Sequence, residues 1–441
     1  MVKIKKIFLA ALIAPILSLH ITSFTKIDTK TDQEVWINVF FHGIVSITPL
    51  LSLNTMMLIR SNNIEHSVYE SYVKNVRNND FFNANQPKQQ YGLKKIDTTR
   101  TDANDGSPAI AKLFDLQYAW IDPKKKIKNY YYTFGWSGFI NSKKMYDDAK
   151  ILNQEFSREI QKFHAKGIYP KTRFIGYSHG GSLCLSLASY LQKEELKRTF
   201  SIDELILLGM PIMSDKDTLI HDPIFKKIFH FYSCADRVQA LDFSHPDRFF
   251  SRKKFKKRKG FELPDKLTQV KLDIFKHINR SSGWGFNKKP IQKKCPFKRH
   301  AKSIRKCSPG HCEWWFFGWT SKYYRDDFPI APLSIASLIP SITTHLHDHT
   351  FGNHINVQLK PFDETITIRG ENGKKTTPFL TEKQLTALKD TARQFPFTKT
   401  RREAYKEKVE IELENAKTEV ARYHEENPPI KKIRKHRKRM M

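Results

Sequence analysis

Residues 171–191, KTRFIGYSHGGSLCLSLASYL, constrain this chain more than any other stretch. An apolar run of strand character passes through Gly176-Tyr177-Ser178-His179-Gly180-Gly181 and straight into a segment of helical pattern. A serine at the centre of G-x-S-x-G can be held in a strained turn, hydroxyl above a sheet, only if its neighbours are slim. Gly176 and Gly180 supply that room, and Gly181, Ser182 and Cys184 let the helix press close to the strand. The free N–H groups and positive dipole end of the helix then face Ser178. This pattern predicts a nucleophile elbow between a buried strand and a helix.

The flanking segments extend the pattern. Residues 34–47, EVWINVFFHGIVSI, form a β-branched and aromatic run suited to a strand buried on both faces, with His42-Gly43 near its end. Residues 126–135 read as a strand, and the helical spacing of Ala149, Leu152, Phe156, Ile160 and Phe163 is stopped by Gly167 just before the elbow strand. Strand, helix, strand is a βαβ unit with parallel strands. Further strands are predicted at 204–212, 225–234 and 267–275, the last taken as the final strand of the sheet. The fold class expected is α/β, with a mostly parallel central sheet flanked by helices, long insertions and a small C-terminal extension.

The G-x-S-x-G-G elbow in this setting resembles the α/β-hydrolase superfamily, in particular its lipase and esterase branches. The resemblance covers about residues 35–319 and implies acyl transfer through an acyl-enzyme, with no metal or cofactor required. By position it implies backbone N–H donors at Ile44 and His179 for the oxyanion. An aspartate just past a late strand is well placed at the carboxyl edge of a parallel sheet, and Asp236 in Ala235-Asp236-Arg237-Val238 has the family's look; Asp242 and Asp247 are the alternatives. The histidine comes last in this family's order, and His311, glycine-flanked and entering an aromatic segment, completes Ser178, Asp236, His311; a histidine of the cluster His345, His347, His349 and His354 is the alternative. Trp136, Phe139, residues 314–317 and Trp319 favour an apolar acyl group, hence an ester or lipid substrate. Two other classes stand beside this reading. One is a metallohydrolase using residues 345–354, where His345, His347, His349 and His354 cluster; the other is a noncatalytic protein of the same fold that binds a polyanion or anionic membrane.

Composition bounds the remainder. A chain of 441 residues, 39% hydrophobic and 12% aromatic, buries a sizeable core in one large or two ordinary domains. The net charge of +31 is concentrated in three acid-free runs, 252–259, 288–306 and 431–439, with seven, nine and seven Lys or Arg residues. These are solvated loops or sites for anionic lipid or polymer; no pattern for reading nucleic-acid bases accompanies them. Residues 1–23 place Lys3, Lys5 and Lys6 before an apolar run, as in a signal peptide or membrane anchor, so export or anchoring is expected. The hydrolase-like body is expected over 33–342, with 48–123 as an insertion or lid and 276–310 as a basic loop. A strand and helix extension over 343–425 and a basic, disordered tail over 426–441 follow. Of five cysteines, Cys184 and Cys234 are expected to be buried thiols. Cys295, Cys307 and Cys312 crowd one loop, where two would pair in an oxidising compartment or, with His300 and His311, bind zinc.

Overall fold

The computed structural model describes residues 33–44, 57–59, 64–85, 88, 90–100, 106–124, 126–213, 216–240, 251–278, 303–318, 324–347, 351–395 and 399–428. The expected leader, the tail beyond residue 428, Cys295, Asp242, Asp247, His300, Trp319 and His349 lie outside them. In chain order the elements are β1 (Glu34–Phe41), α1 (Val68–Asn78), β2 (Gly92–Lys95), α2 (Ser107–Ile121), β3 (Ile127–Gly135), α3 (Ser142–His164), β4 (Lys171–Tyr177), α4 (His179–Lys193), β5 (Glu204–Leu208), β6 (Ile228–Tyr232), β7 (Leu267–Ile278), β8 (Ser303–Cys307), α5 (Ile339–Thr343), β9 (His354–Lys360), β10 (Thr365–Gly370), β11 (Gly373–Pro378), α6 (Glu382–Arg393) and α7 (Lys399–Glu426). Among these, no helix is long and apolar enough to cross a membrane.

Eleven strands form one mixed, mostly parallel sheet in the order β11-β10-β9-β7-β6-β5-β4-β1-β3-β2, with β8 paired to β7. Side chains of alternate residues leave opposite faces of a strand, and both faces here are covered. Ile37, Val39 and Phe41 of β1 pack with Phe174, Leu205 and Leu207 against α3 and α4. Phe40, Ile175, Ile206, Leu208, Phe229 and Phe231 face the opposite layer of α2, α5 and α6. Helix α3 is started by the Asn141 side chain, which accepts from Lys144 N–H at 2.9 Å, and Gly167 beyond its end takes φ +70°. Its buried stripe of Met145, Ala149, Leu152, Phe156, Ile160 and Phe163 holds it on the sheet; each large apolar side chain contributes about 1.5–3 kcal/mol.

Two expectations change. The strand at 267–275 is not the last, because β9 pairs parallel to β7 from Gln269 to Ile274 and the sheet continues through the antiparallel β10 and β11. The insertion at 48–123 is not simply a lid: β2 extends the sheet edge beside β3, and α2 is a buried core helix. Residues 328–342, with their three prolines, are packed core against α2. Helix α7 packs on α1, where Asn75 Nδ2 and Asn79 Nδ2 donate to Glu419 and Glu412 and the ring of His66 stacks on Tyr423. Cys184 is buried as expected, but Cys234 is exposed; Cys307 and Cys312 are thiols.

Strand β7 overruns the carboxyl edge. Its first half pairs with β6 as far as Lys271, and from Ile274 onward β8 takes the edge that β6 has left. Running antiparallel, β8 brings the chain back toward the end of β6. Residues 308–311 therefore arrive beside residues 233–236.

Candidate active site

Between β4 and α4 the chain turns on a single residue. Ser178 has φ 51° and ψ −129°, a conformation that costs a non-glycine residue on the order of 1–3 kcal/mol. Its N–H donates to Leu208 O at 2.9 Å, and its carbonyl accepts from Gly181 N–H at 3.0 Å, so both neighbouring elements hold the turn. The glycines are required by close backbone approach. A Cβ on Gly176 would lie 2.6 Å from Gly181 Cα, and one on Gly180 would lie 2.4 Å from His42 O.

His311 connects this serine to an aspartate. Its Nε2 is 3.1 Å from Ser178 Oγ, and its Nδ1 is 2.9 and 3.1 Å from the two carboxylate oxygens of Asp236. A carboxylate only accepts, so Nδ1 carries the proton and Nε2 presents a lone pair to the serine hydroxyl. Asp236 is fully buried just past β6, where Gln239 N–H and the Trp314 indole N–H, each at 2.9 Å, also donate to it. All three residues lie at the carboxyl edge of the sheet, each delivered by a different segment.

Several residues that sequence reasoning passed over hold this arrangement. Tyr177 donates through its hydroxyl to His311 O at 3.1 Å, and its ring stacks on Trp315 with centroids 5.4 Å apart. Ser233 donates to Pro309 O, joining the aspartate loop to the histidine loop. Gly209 has φ +58°, and a Cβ there would meet Trp314 at 2.8 Å and Asp236 Oδ2 at 2.9 Å. Only this glycine, immediately after a buried strand, left a legible mark in the sequence. The aromatic residues read as an acyl pocket are core: Trp136, Phe139, Trp314, Trp315 and Phe317 are buried, and Phe316 is half-buried.

On the opposite side of the serine, Gly43 lies against the elbow. A Cβ on it would be 2.9 Å from the Tyr177 ring and 3.2 Å from Ser178 Cβ. Ile44 follows it, half-buried, and His179 opens α4 directly after the serine. Burial, then the nearby Lys216 and His311, hold the His179 imidazole down to about 3, so it is neutral at pH 7.

Of the four histidines considered as metal ligands, the three that are described diverge. His345 contacts Thr377, His347 approaches Glu204 Oε1 at 3.4 Å, and His354 lies beside Gln269. Among the described residues, no group of three or more His, Cys, Asp or Glu side chains is placed to hold a metal. The basic run at 252–259 is partly neutralised, since Arg252 and Arg258 face the buried Asp217 and Lys257 pairs with Glu262.

No family model matches the chain, and no curated protein or solved structure matches it.

Proposed function

We propose that the chain is a serine hydrolase of α/β-hydrolase type that cleaves a carboxylic ester through an acyl-enzyme. The reading is carried by one observation: a single imidazole lies within hydrogen-bond distance of both a strained, buried serine and a buried carboxylate. Ser178 Oγ attacks the ester carbonyl carbon while His311 Nε2 takes the hydroxyl proton. Asp236 keeps the imidazole in the Nδ1–H tautomer and stabilises the imidazolium that forms. The N–H groups of Ile44 and His179 receive the developing oxyanion, and one such donor is worth about 3–4 kcal/mol in the transition state. Collapse of the tetrahedral species returns the proton from Nε2 to the leaving alkoxide and leaves an acyl group on Ser178. Water, deprotonated by the same nitrogen, then releases the carboxylic acid.

The case for an apolar acyl chain weakens, because five of the aromatics that suggested a lipid substrate, Trp136, Phe139, Trp314, Trp315 and Phe317, are buried in the core. Stopped-flow hydrolysis of p-nitrophenyl butyrate tests the reading. A burst of p-nitrophenol close to one equivalent per protein, absent in Ser178→Ala, is expected; turnover equal in the two proteins would refute it.

A further inference from the structure

Two basic side chains are buried beneath the turn that follows β1. Arg77, on α1, is 2% exposed, and Lys88 is 1% exposed over the Phe82 ring. Burial brings the Arg77 guanidinium down to about 10, with Tyr91 and Asp148 acting in the other direction, so it stays charged at neutral pH. A buried charge is costly unless it is tied to specific partners. The partners of Arg77 lead toward the serine.

Arg77 Nε–H donates to Trp136 O at 2.9 Å. The N–H on the other side of that same peptide bond, Ser137 N–H, donates to both carboxylate oxygens of Asp148 at 3.2 and 3.3 Å. Thus one peptide unit is gripped at its carbonyl by a cation and at its amide by an acid, and a planar peptide held at both ends cannot rotate. Trp136 in turn grips His42 twice. Its backbone N–H donates to His42 Nε2 at 3.4 Å, and its indole N–H donates to His42 O at 2.8 Å.

Because Nε2 accepts, the proton of the His42 ring is on Nδ1, and Nδ1–H donates to Gly43 O at 2.6 Å. Burial, with Arg77 and Lys88 nearby, holds this imidazole well below its ordinary value, so it is neutral as the geometry requires. The last link is geometric. In a trans peptide the C=O and N–H point opposite ways, so fixing the Gly43 carbonyl toward His42 turns the Ile44 N–H away from His42. That N–H is the oxyanion donor in the reading above.

We infer that Arg77 is a positioning residue for the oxyanion hole, acting through the Trp136–Ser137 peptide and the His42 imidazole to orient the Gly43–Ile44 peptide. This rests on the serine-hydrolase reading. It gives the long segment between β1 and β3 a role in catalysis without contact between α1 and the substrate. It also predicts that the effect is on the rate of the chemical step, since a misplaced donor weakens transition-state binding and leaves ground-state binding largely intact.

The test compares wild type, Arg77→Met and the charge-balanced double variant Arg77→Met/Asp148→Asn in p-nitrophenyl butyrate hydrolysis, with kcat expressed per active site from burst titration. In the variants, kcat is expected to fall roughly 10- to 100-fold. That is the scale of a donor misplaced by about 1 Å, below the roughly 100- to 1,000-fold cost of losing one outright. KM should stay within about twofold. Guanidinium ion added to Arg77→Ala should restore kcat in part, again without a change in KM. A folded variant with wild-type kcat per active site would overturn the inference and leave the hydrolase reading standing. A wild type without Ser178-dependent turnover would overturn both. The double variant supplies the measurement if Arg77→Met alone fails to fold.

Discussion

The two ends of the parallel strands are both rich in buried polar groups, yet they are built on opposite principles. At the amino-terminal edge charges close on one another. Arg173 Nε meets Glu204 at 2.6 Å, with Asn38 and Tyr118 taking another nitrogen; Lys171 meets Glu34 at 2.9 Å, and Lys226 meets Asp203 at 2.7 Å. A cavity of about 860 Å³ opens there, and Glu34, Lys171, Asp203, Glu204 and Lys226 of these pairs are part of its lining. At the carboxyl edge the hydrogen bonds form open chains that converge on Ser178, one through Asp236 and His311, another through His42 to Gly43. Closed pairs hold a sheet together. Chains directed at one strained serine leave an imidazole nitrogen facing its hydroxyl.

The largest effects should come from cutting the carboxyl-edge chains. Ser178→Ala and His311→Ala should each lower kcat on the order of 10⁶-fold, and Asp236→Asn about 10⁴-fold, with melting temperatures little changed. Near-equal activity in any of these variants, measured by burst kinetics, would mean that the chain does not act as a unit. The amino-terminal edge should respond in the opposite way. Glu204→Leu leaves Arg173 buried without its counter-ion and should lower stability by about 3–5 kcal/mol in urea titrations, at unchanged kcat per active site. A loss of kcat in that variant would show the two edges to be coupled.

A pH scan of stability comes next. His42 is held well below its ordinary value, His179 is near 3 and His230 near 4, in each case chiefly by burial. Such a group is neutral when folded but binds a proton when unfolded below about pH 6.5, so the stability present above that pH is lost as pH falls. Each costs about 1.4 kcal/mol per pH unit until its folded value is reached. Asp148, raised by burial to about 6, takes up its proton in the folded state first and offsets one of the three below that pH. Urea midpoints should therefore drop steadily from pH 6.5 to 4.5; a flat profile would contradict the neutral, buried histidines. The smallest effect is expected from Trp314→Phe, which removes one of the donors to Asp236 and should lower kcat about tenfold, the low end of what one hydrogen bond to a charged group is worth.

Much of the carboxyl edge could be read directly from the chain. The elbow is a local pattern of glycines between a strand and a helix, and the geometric need for those glycines is local too. The runs at 34–41, 127–135, 171–177, 204–208 and 228–232 are apolar because both faces of a central parallel sheet are covered, so their strands stood out. Asp236 stood out as an acid just past a late strand, and His311 was reached through the resemblance to α/β-hydrolases, in which the histidine comes last. What escaped depends on pairing between distant segments. The continuation through β9 is set by contacts across about 85 residues of sequence, and no pattern within 354–360 says which strand it will meet. Trp314 and Trp315 gave no sign of lying within the core rather than along a pocket, since burial and exposure use the same side chains. Arg77 was least legible, a cation in a polar, weakly patterned insertion whose partner lies 59 residues away.

The most direct test is labelling with a fluorophosphonate, which phosphonylates a serine only when a neighbouring base and oxyanion donors activate it. Peptide mapping of folded wild-type protein should place the label on Ser178, with none on Ser178→Ala and a severe loss in His311→Ala. Folded wild-type protein that remains unlabelled, or that carries the label on another residue, would contradict the account.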